Sequence, residues 1–257
     1  MLSVVIPTFN TGALTLHACR AVLQSAVDAE VIVVDDASTD DTAALLAREV
    51  PSIRVLRREE NGGFAPAAND GVRASQGDFI LLLNSDAIVQ PDAIAALLRA
   101  FDDDARLGIA SAQLFDDDGT PQWTGGRTPT LLWMIGAVSG KGHWLRAFRR
   151  HRGGVNLEPD WVSGAAMMMR RAVWNDAGPL DERYRFYCQD IDFCLRARER
   201  GWRVAIVPES RVTHTRGASI GRSRTLLRDD LLEFGRGRYG RAWFWFARAV
   251  LALIPVS

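Results

Sequence analysis

The sequence predicts an α/β fold in which helices flank a mostly parallel sheet, followed by a C-terminal helical extension. Three observations predict it. Short apolar runs alternate with segments of helical spacing through the first hundred residues. The runs ending at Val34 and Leu83 are continuously apolar, as strands buried on both faces of a parallel sheet are. Each stops abruptly at polar residues, Asp35-Asp36 after one and Asn84-Ser85-Asp86 after the other.

The elements follow in order. Residues 3–7 form a strand, and 13–26 carry Leu14, Ala18, Val22 and Leu23 at helical spacing. Residues 30–34 form the second strand. The run Ser38-Thr39-Asp40-Asp41 then offers caps for a helix over 42–49. Strands at 53–57 and 78–83 alternate with helices at 65–75 and 92–101. This βα rhythm implies right-handed crossovers and a nucleotide-binding half over about 1–100. The second half is less regular, with strands at 109–115, 161–169 and 204–207, the last closed by Pro208. A short helix is expected at 173–177 and a longer one at 190–200. Both halves are expected to share one sheet.

Composition narrows the function. At 257 residues the chain sits near the upper size of one domain, and its net charge of zero provides no global field for nucleic acid. The stretch 119–156 has no acid but carries Arg127, Lys141, Arg146, Arg149, Arg150 and Arg152. It reads as a solvated basic loop or as a surface for anionic lipid or a polyanionic acceptor. Three cysteines without regular spacing give neither a disulfide framework nor a zinc pattern. The first strand begins at once, so no secretory signal is expected and the catalytic part belongs in the cytosol, with peripheral contact to the inner membrane face a further expectation.

In a parallel sheet the strand ends converge on one edge, where open α/β folds bind ligands. Here that edge gathers Pro7-Thr8-Phe9-Asn10, Asp35-Asp36, Asn61 and Asn84-Ser85-Asp86. No glycine fingerprint for a dinucleotide follows the first strand, and no Gly-Lys-Ser/Thr phosphate loop exists. Asp86 is a loop residue, a cap for the following helix, or a ligand to something positive. Carboxylates beside a diphosphate repel it unless a divalent cation intervenes, and magnesium or manganese serves that purpose.

Several strings carry a family resemblance. They are Asn61-Gly62-Gly63-Phe64 through Gly71, Leu83-Asn84-Ser85-Asp86, Trp161-Val162-Ser163-Gly164 through Arg171, and Gly178-Pro179-Leu180-Asp181-Glu182. The run Gln189-Asp190-Ile191-Asp192 through Arg196, then Val207-Pro208 and His214, completes the order. Over residues 2 to about 220 the chain resembles family-two inverting glycosyltransferases with the GT-A fold, a Rossmann-like sheet, and within them the rhamnosyltransferase-like branch. The resemblance implies a nucleotide-sugar site built from Pro7, Thr8, Asn10, Asp35, Asn61, Asn69, Asn84, Ser85 and Asp86. It implies Mg2+ or Mn2+ on Asp86 and His214, with Asn84 standing where the family's first acid usually is. Asp190 becomes the general base, although Gln189 replaces the usual preceding Glu. Trp161, Gly164 and Asp192 become acceptor-side candidates, and Arg196 a partner for a nearby acid.

Plain alternatives stand beside these roles. Asp35, Asp36, Asp190 and Asp192 also read as helix caps, Asn69 as a loop brace, and His214 as a structural histidine. The implied activity is single-displacement transfer of a sugar, in the first place L-rhamnose from dTDP-rhamnose, to a hydroxyl of a polysaccharide or lipid-linked acceptor. Galactofuranose, mannose or N-acetylglucosamine donors, or a non-catalytic sugar-nucleotide-binding subunit, are the rivals. A nucleotidyltransferase lacks its basic glycine-rich loop here. Residues 1–220 are expected to form one domain, with the acceptor and catalytic half at 101–220. Residues 221–257 form the helical extension, too short in its apolar part to span a bilayer. Trp243 and Trp245 beside Arg236, Arg238 and Arg241 read as an interfacial helix or as one packed on the protein's own core.

Overall fold

The protein is described by a computed structural model covering residues 1–130, 150–152, 158–215 and 224–252. Most of the basic stretch, with Lys141, Arg146 and Arg149, lies outside the described residues, as does the expected domain boundary at 220. The first half keeps the alternation. Strand β1 (Leu2–Thr8) leads to α1 (Gly12–Leu23), β2 (Ala29–Asp35) to α2 (Thr42–Glu49), and β3 (Arg54–Arg57) to α3 (Phe64–Ala74). Strand β4 (Phe79–Leu83) passes through a short β5 (Ala87–Val89) into α4 (Ala93–Asp102). The pairs β1–β2, β1–β4 and β2–β3 are all parallel. Val4, Val5, Ile6, Ile32, Val33, Val34 and Ile80 through Leu83 are wholly buried, which explains their uninterrupted apolar runs.

The second half comprises β6 (Leu107–Phe115), β7 (Trp123–Gly126), β8 (Arg150–Arg152), β9 (Trp161–Val162) and β10 (Ala166–Arg170). Helices α5 (Arg171–Ala177) and α6 (Gln189–Glu199), strand β11 (Arg203–His214) and helix α7 (Arg224–Ala252) follow. Among the described residues one sheet runs β3-β2-β1-β4-β10-β6-β11-β5, and a smaller one β8-β7-β9. Both halves share the large sheet, as expected. Strand β10 enters it antiparallel to β4 and β6, so the sheet is mixed.

Two elements differ from the sequence reading. The expected strand 161–169 is two strands in different sheets, because β9 pairs with β7 while β10 joins the main sheet. The turn Ser163-Gly164-Ala165 makes the switch, fixed by Ser163 N–H to Thr124 O (2.7 Å) and Asn84 N–H to Ala165 O (2.9 Å). Strand β11 does not stop at Pro208. Its pairing with β6 shifts register between Val207 and Arg211, so a proline without an N–H sits where the ladder is already broken. The strand resumes and delivers His214 to the same sheet edge as Asp86, through the pair His214–Ala87.

Helix α7 packs on the core through Leu231, Leu232, Phe234, Trp243 and Ala247. It breaks at Gly240, whose φ is 85°. The Trp243 indole then folds back over Gly235, where any Cβ would meet the ring at 1.8 Å. Trp243 is thus a core residue at 6% exposure, not an interfacial one, while Trp245 and Phe246 are 61% and 56% exposed. Among the described residues no helix is long and apolar enough to cross a membrane.

Candidate active site

At the end of β1 the Thr8 hydroxyl pairs with those of Thr11 (2.9 Å) and Thr15 (2.7 Å), and Thr11 donates to Ser85 Oγ (3.0 Å). This buried hydroxyl cluster ties β1, with Pro7 inside it, to the loop after β4. Asn10 adopts φ 54° and accepts the Thr39 N–H (2.8 Å), while its own N–H donates to Ser38 Oγ (2.9 Å). Asp35 ends β2 fully buried. Its Oδ1 accepts the Ser38 N–H (2.9 Å), whereas Oδ2 accepts no hydrogen bond and has Arg57 Nη1 at 3.5 Å. Asp35 does not cap α2, whose first N–H, that of Thr42, goes to Asp40 Oδ1 at 3.0 Å. A buried carboxylate oxygen without a donor is rare and points to a missing partner. An open cleft of about 590 Å3 lies alongside, lined by Ala37, Ser38, Arg57 and Arg58. Asp36 organises the facing loop instead. It receives the N–H groups of Gly62 (3.1 Å) and Gly63 (2.7 Å) and the Arg58 guanidinium, and its carbonyl takes the exposed Asn61 amide (3.2 Å).

Asp86 is buried, and its Oδ1 lies 3.3 Å from His214 Nε2. The Gln122 amide nitrogen donates to Asp116 Oδ1 (2.9 Å), Phe115 O (3.2 Å) and His214 O, so its oxygen accepts from His214 Nδ1 at 3.1 Å. With the proton on Nδ1, Nε2 presents a lone pair, which Asn84 Nδ2 meets at 3.2 Å. His214 Nε2 and Asp86 Oδ1 thus stand side by side, 3.3 Å apart, at this edge of the sheet. Among the described residues no group of three or more His, Cys, Asp or Glu side chains gathers around a metal position. The pair nonetheless fits Mg2+ or Mn2+, which bind through one or two protein ligands and complete their shell with phosphate oxygens and water.

Asp190 is the second residue of α6. Its Oδ2 accepts the Gly164 N–H (3.0 Å) and its Oδ1 the Ile191 N–H (2.8 Å). Burial pushes its carboxyl above the ordinary aspartate range, and these two N–H groups only partly counter that. Gly164 and Ala165 therefore grip both parts of the site, one holding Asp190 and the other, through the Asn84 N–H, the loop that carries Asp86.

The model of glycosyl transferase family 2 matches residues 3–176. The chain belongs to that family. This family-two glycosyltransferase is 29% identical over 245 residues to the N-acetylglucosaminyl-diphospho-decaprenol L-rhamnosyltransferase of Mycobacterium tuberculosis, covering 86% of this chain and 78% of that one. Its fold resembles the S. aureus TarS 1–349 crystal structure (TM-score 0.59, 19% identity), covering 83% of this chain and 60% of that one. It also resembles the mannosyltransferase PcManGT of Pyrobaculum calidifontis, solved with GDP-Man and Mn2+ (TM-score 0.63, 15% identity, 100% of this chain and 76% of that one). At these identities the two structures establish the fold.

Three expected site residues of this glycosyltransferase are engaged elsewhere. Asn69 is wholly buried; its amide brackets the Leu180 backbone with two 3.0 Å bonds and donates to Glu182 (2.7 Å). Trp161 is buried edge-on to Trp123, with its indole N–H on Arg127 O (3.0 Å). Asp192 pairs with Arg196 (2.8 Å), whose guanidinium also binds the carbonyls of Ala177 and Pro179, locking α6 to the preceding loop. Gln122 is missing from the sequence reading, and the role of Asp36 in holding the 61–63 loop is not foreseen there. Gln122 meets a histidine 92 positions away, and no local pattern marks such a partnership. Asp36 was visible only as a second acid beside Asp35.

Proposed function

We propose that the protein transfers a hexose, in the first place L-rhamnose from dTDP-rhamnose, to a hydroxyl of a polysaccharide or lipid-linked acceptor with inversion. The observation that supports this reading is the joint grip of Gly164 and Ala165, which ties Asp190 to the loop that carries Asp86. The acceptor oxygen attacks the anomeric carbon opposite the diphosphate as the carbon–oxygen bond to the diphosphate breaks. Asp190 takes the hydroxyl proton, and the nucleoside diphosphate departs with the bonding pair. A carboxyl raised by burial is a better proton acceptor than an exposed one. When bound at Asp86 and His214, a divalent cation supplies the positive charge that offsets the departing diphosphate. Asp35, with one oxygen unspent, is suited to an N–H donor on the nucleotide base.

The likeness to a decaprenol-linked rhamnosyltransferase supports the donor and the acceptor class. A panel of dTDP-rhamnose, UDP-galactofuranose, GDP-mannose and UDP-N-acetylglucosamine, each with and without Mn2+, tests it by thermal shift. The largest rise is expected from dTDP-rhamnose with Mn2+. A larger rise from another donor replaces the sugar, and no rise from any of them sinks the reading.

Exposed Trp245 and Phe246, with exposed Arg241 and Arg248 nearby, support docking of the end of α7 on an anionic leaflet that holds the acceptor. Flotation with anionic vesicles should be salt-sensitive and lost in the double variant Trp245→Ala/Phe246→Ala. Equal flotation of that variant removes the docking role.

A further inference from the structure

Asp230 lies on α7, only 2% exposed and outside the site described above. Its carboxylate receives three consecutive backbone N–H groups, Arg185 on Oδ1 (2.9 Å) and Phe186 (2.9 Å) and Tyr187 (2.6 Å) on Oδ2. Successive N–H groups turned inward make an anion-binding concavity, here filled by a side chain of the same chain. Burying a carboxylate is costly, and the helix already has Leu231, Leu232 and Phe234 to hold it on the core. The acid is therefore spent on the loop.

That loop leads straight into the base. Residue 188 is Cys188 in the left-handed region (φ 70°), and its carbonyl accepts the Asp192 N–H (2.8 Å) to start α6. The Gln189 amide donates back to Phe186 O (2.8 Å), and Asp190 comes next. On its other side, the loop abuts the donor edge. Arg185 O lies so near Gly63 that a Cβ there would stand 2.7 Å away, and Gly63 is itself held by Asp36. Asp230 thus pins a segment wedged between the donor-edge loop and the first turn of α6.

We propose that Asp230 is a positioning residue, which through the N–H groups of residues 185–187 sets the seat of the first turn of α6 and so the placement of Asp190 against the acceptor hydroxyl. The inference rests on the assignment of Asp190 as the base. It makes α7 part of the catalytic apparatus. A misplacement of about 1 Å at a reacting group costs on the order of 10²-fold in rate.

Asp230→Asn keeps the shape but turns an N–H donor toward at least one of the three N–H groups. The expected result is a fall in kcat of ~10²-fold, with donor KM within about twofold and the thermal shift by dTDP-rhamnose and Mn2+ retained. The acid limb of the kcat–pH profile should also move to higher pH, because a displaced Asp190 loses part of its hydrogen bond from Gly164. Asp230→Glu keeps charge and both acceptors but displaces them by one methylene, and decides the matter if the Asn variant does not fold. The same kcat-selective loss, smaller in size, is expected. Unchanged kcat in a folded variant, or a loss matched by an equal rise in donor KM, overturns the proposal. Asp190→Asn run alongside separates the two ideas. If it turns over normally, the base assignment fails; if it is inactive while both Asp230 variants match the unmodified enzyme, only the role of Asp230 fails.

Discussion

The proposed donor edge and the proposed base, Asp190, are held by different means. Asp35, Asn84 and Asp86 stand at or just beyond the ends of β2 and β4, strands paired in register and wholly buried along most of their length. Asp190 has no strand beneath it. Its place depends on a turn at Gly164, a left-handed Cys188, the Arg196 grip on residues 177–179 and the Asn69 brace on Leu180. The proposed donor groups inherit rigidity from ladder hydrogen bonds, whereas Asp190, the proposed base, receives it from side chains remote in sequence. Changes on the first side should therefore register as ligand affinity, and changes on the second as turnover or stability.

The largest expected effect is on the base side. Asp190→Asn should lower transfer by ~10²–10⁴-fold while leaving donor binding intact, as read by initial rates and by the donor-induced thermal shift. The same variant has a stability signature. Because burial raises the Asp190 carboxyl pKa in the folded protein, its stabilising contribution is full below the ordinary aspartate range and is lost as pH rises through the elevated value. At neutral pH the variant should melt above the unmodified protein, and the gap should close in acid. Activity should fall off at a higher pH than an exposed aspartate would dictate. An Asn variant that melts lower at neutral pH, or turns over normally, breaks the comparison.

On the donor side, Gln122→Ala should weaken Mn2+ affinity by ~10–100-fold, the usual cost of removing the partner that orients a ligating histidine. Rates at saturating Mn2+ should change little. Titration of activity with Mn2+ reads both, and an unaltered midpoint would detach Gln122 from the cation pair. The smallest effect belongs to Asn69→Ala. It should destabilise by about 1–3 kcal/mol, as loss of a buried hydrogen-bonding group does, without touching donor affinity. Urea melts with and without donor check it; weakened donor binding at full stability would move Asn69 back to the donor edge.

The same division explains what could be read from the chain. Strands β1, β2 and β4 were legible because burial on both faces leaves continuous apolar runs, and the acids that follow β2 and β4 stood out by contrast. His214 was legible only through family resemblance, since a proline at position 208 reads as the end of a strand unless the register shift is known. The 161–169 strand was misread because Ser163, Gly164 and Ala165 are too small to show a period, and the sheet switch leaves no local signal. Nor does the sequence show that Trp161 packs edge-on against Trp123 and donates its indole N–H to Arg127 O. Tertiary partners decide such cases, and a linear pattern does not name them.

The strand order also sets a schedule for synthesis. As the chain emerges, β1, β2, β3 and β4 can pair among themselves at once, but the other edge of β4 is covered by β10, roughly 90 residues downstream. At ribosomal speeds that leaves Phe79 to Leu83 with an open apolar edge for on the order of 5–20 s. Such an edge is a template for pairing between nascent chains. The strand that leads to Asp86 is thus also a segment at risk of aggregation before the chain is complete, and slower translation of residues 84–170 should lower the soluble yield.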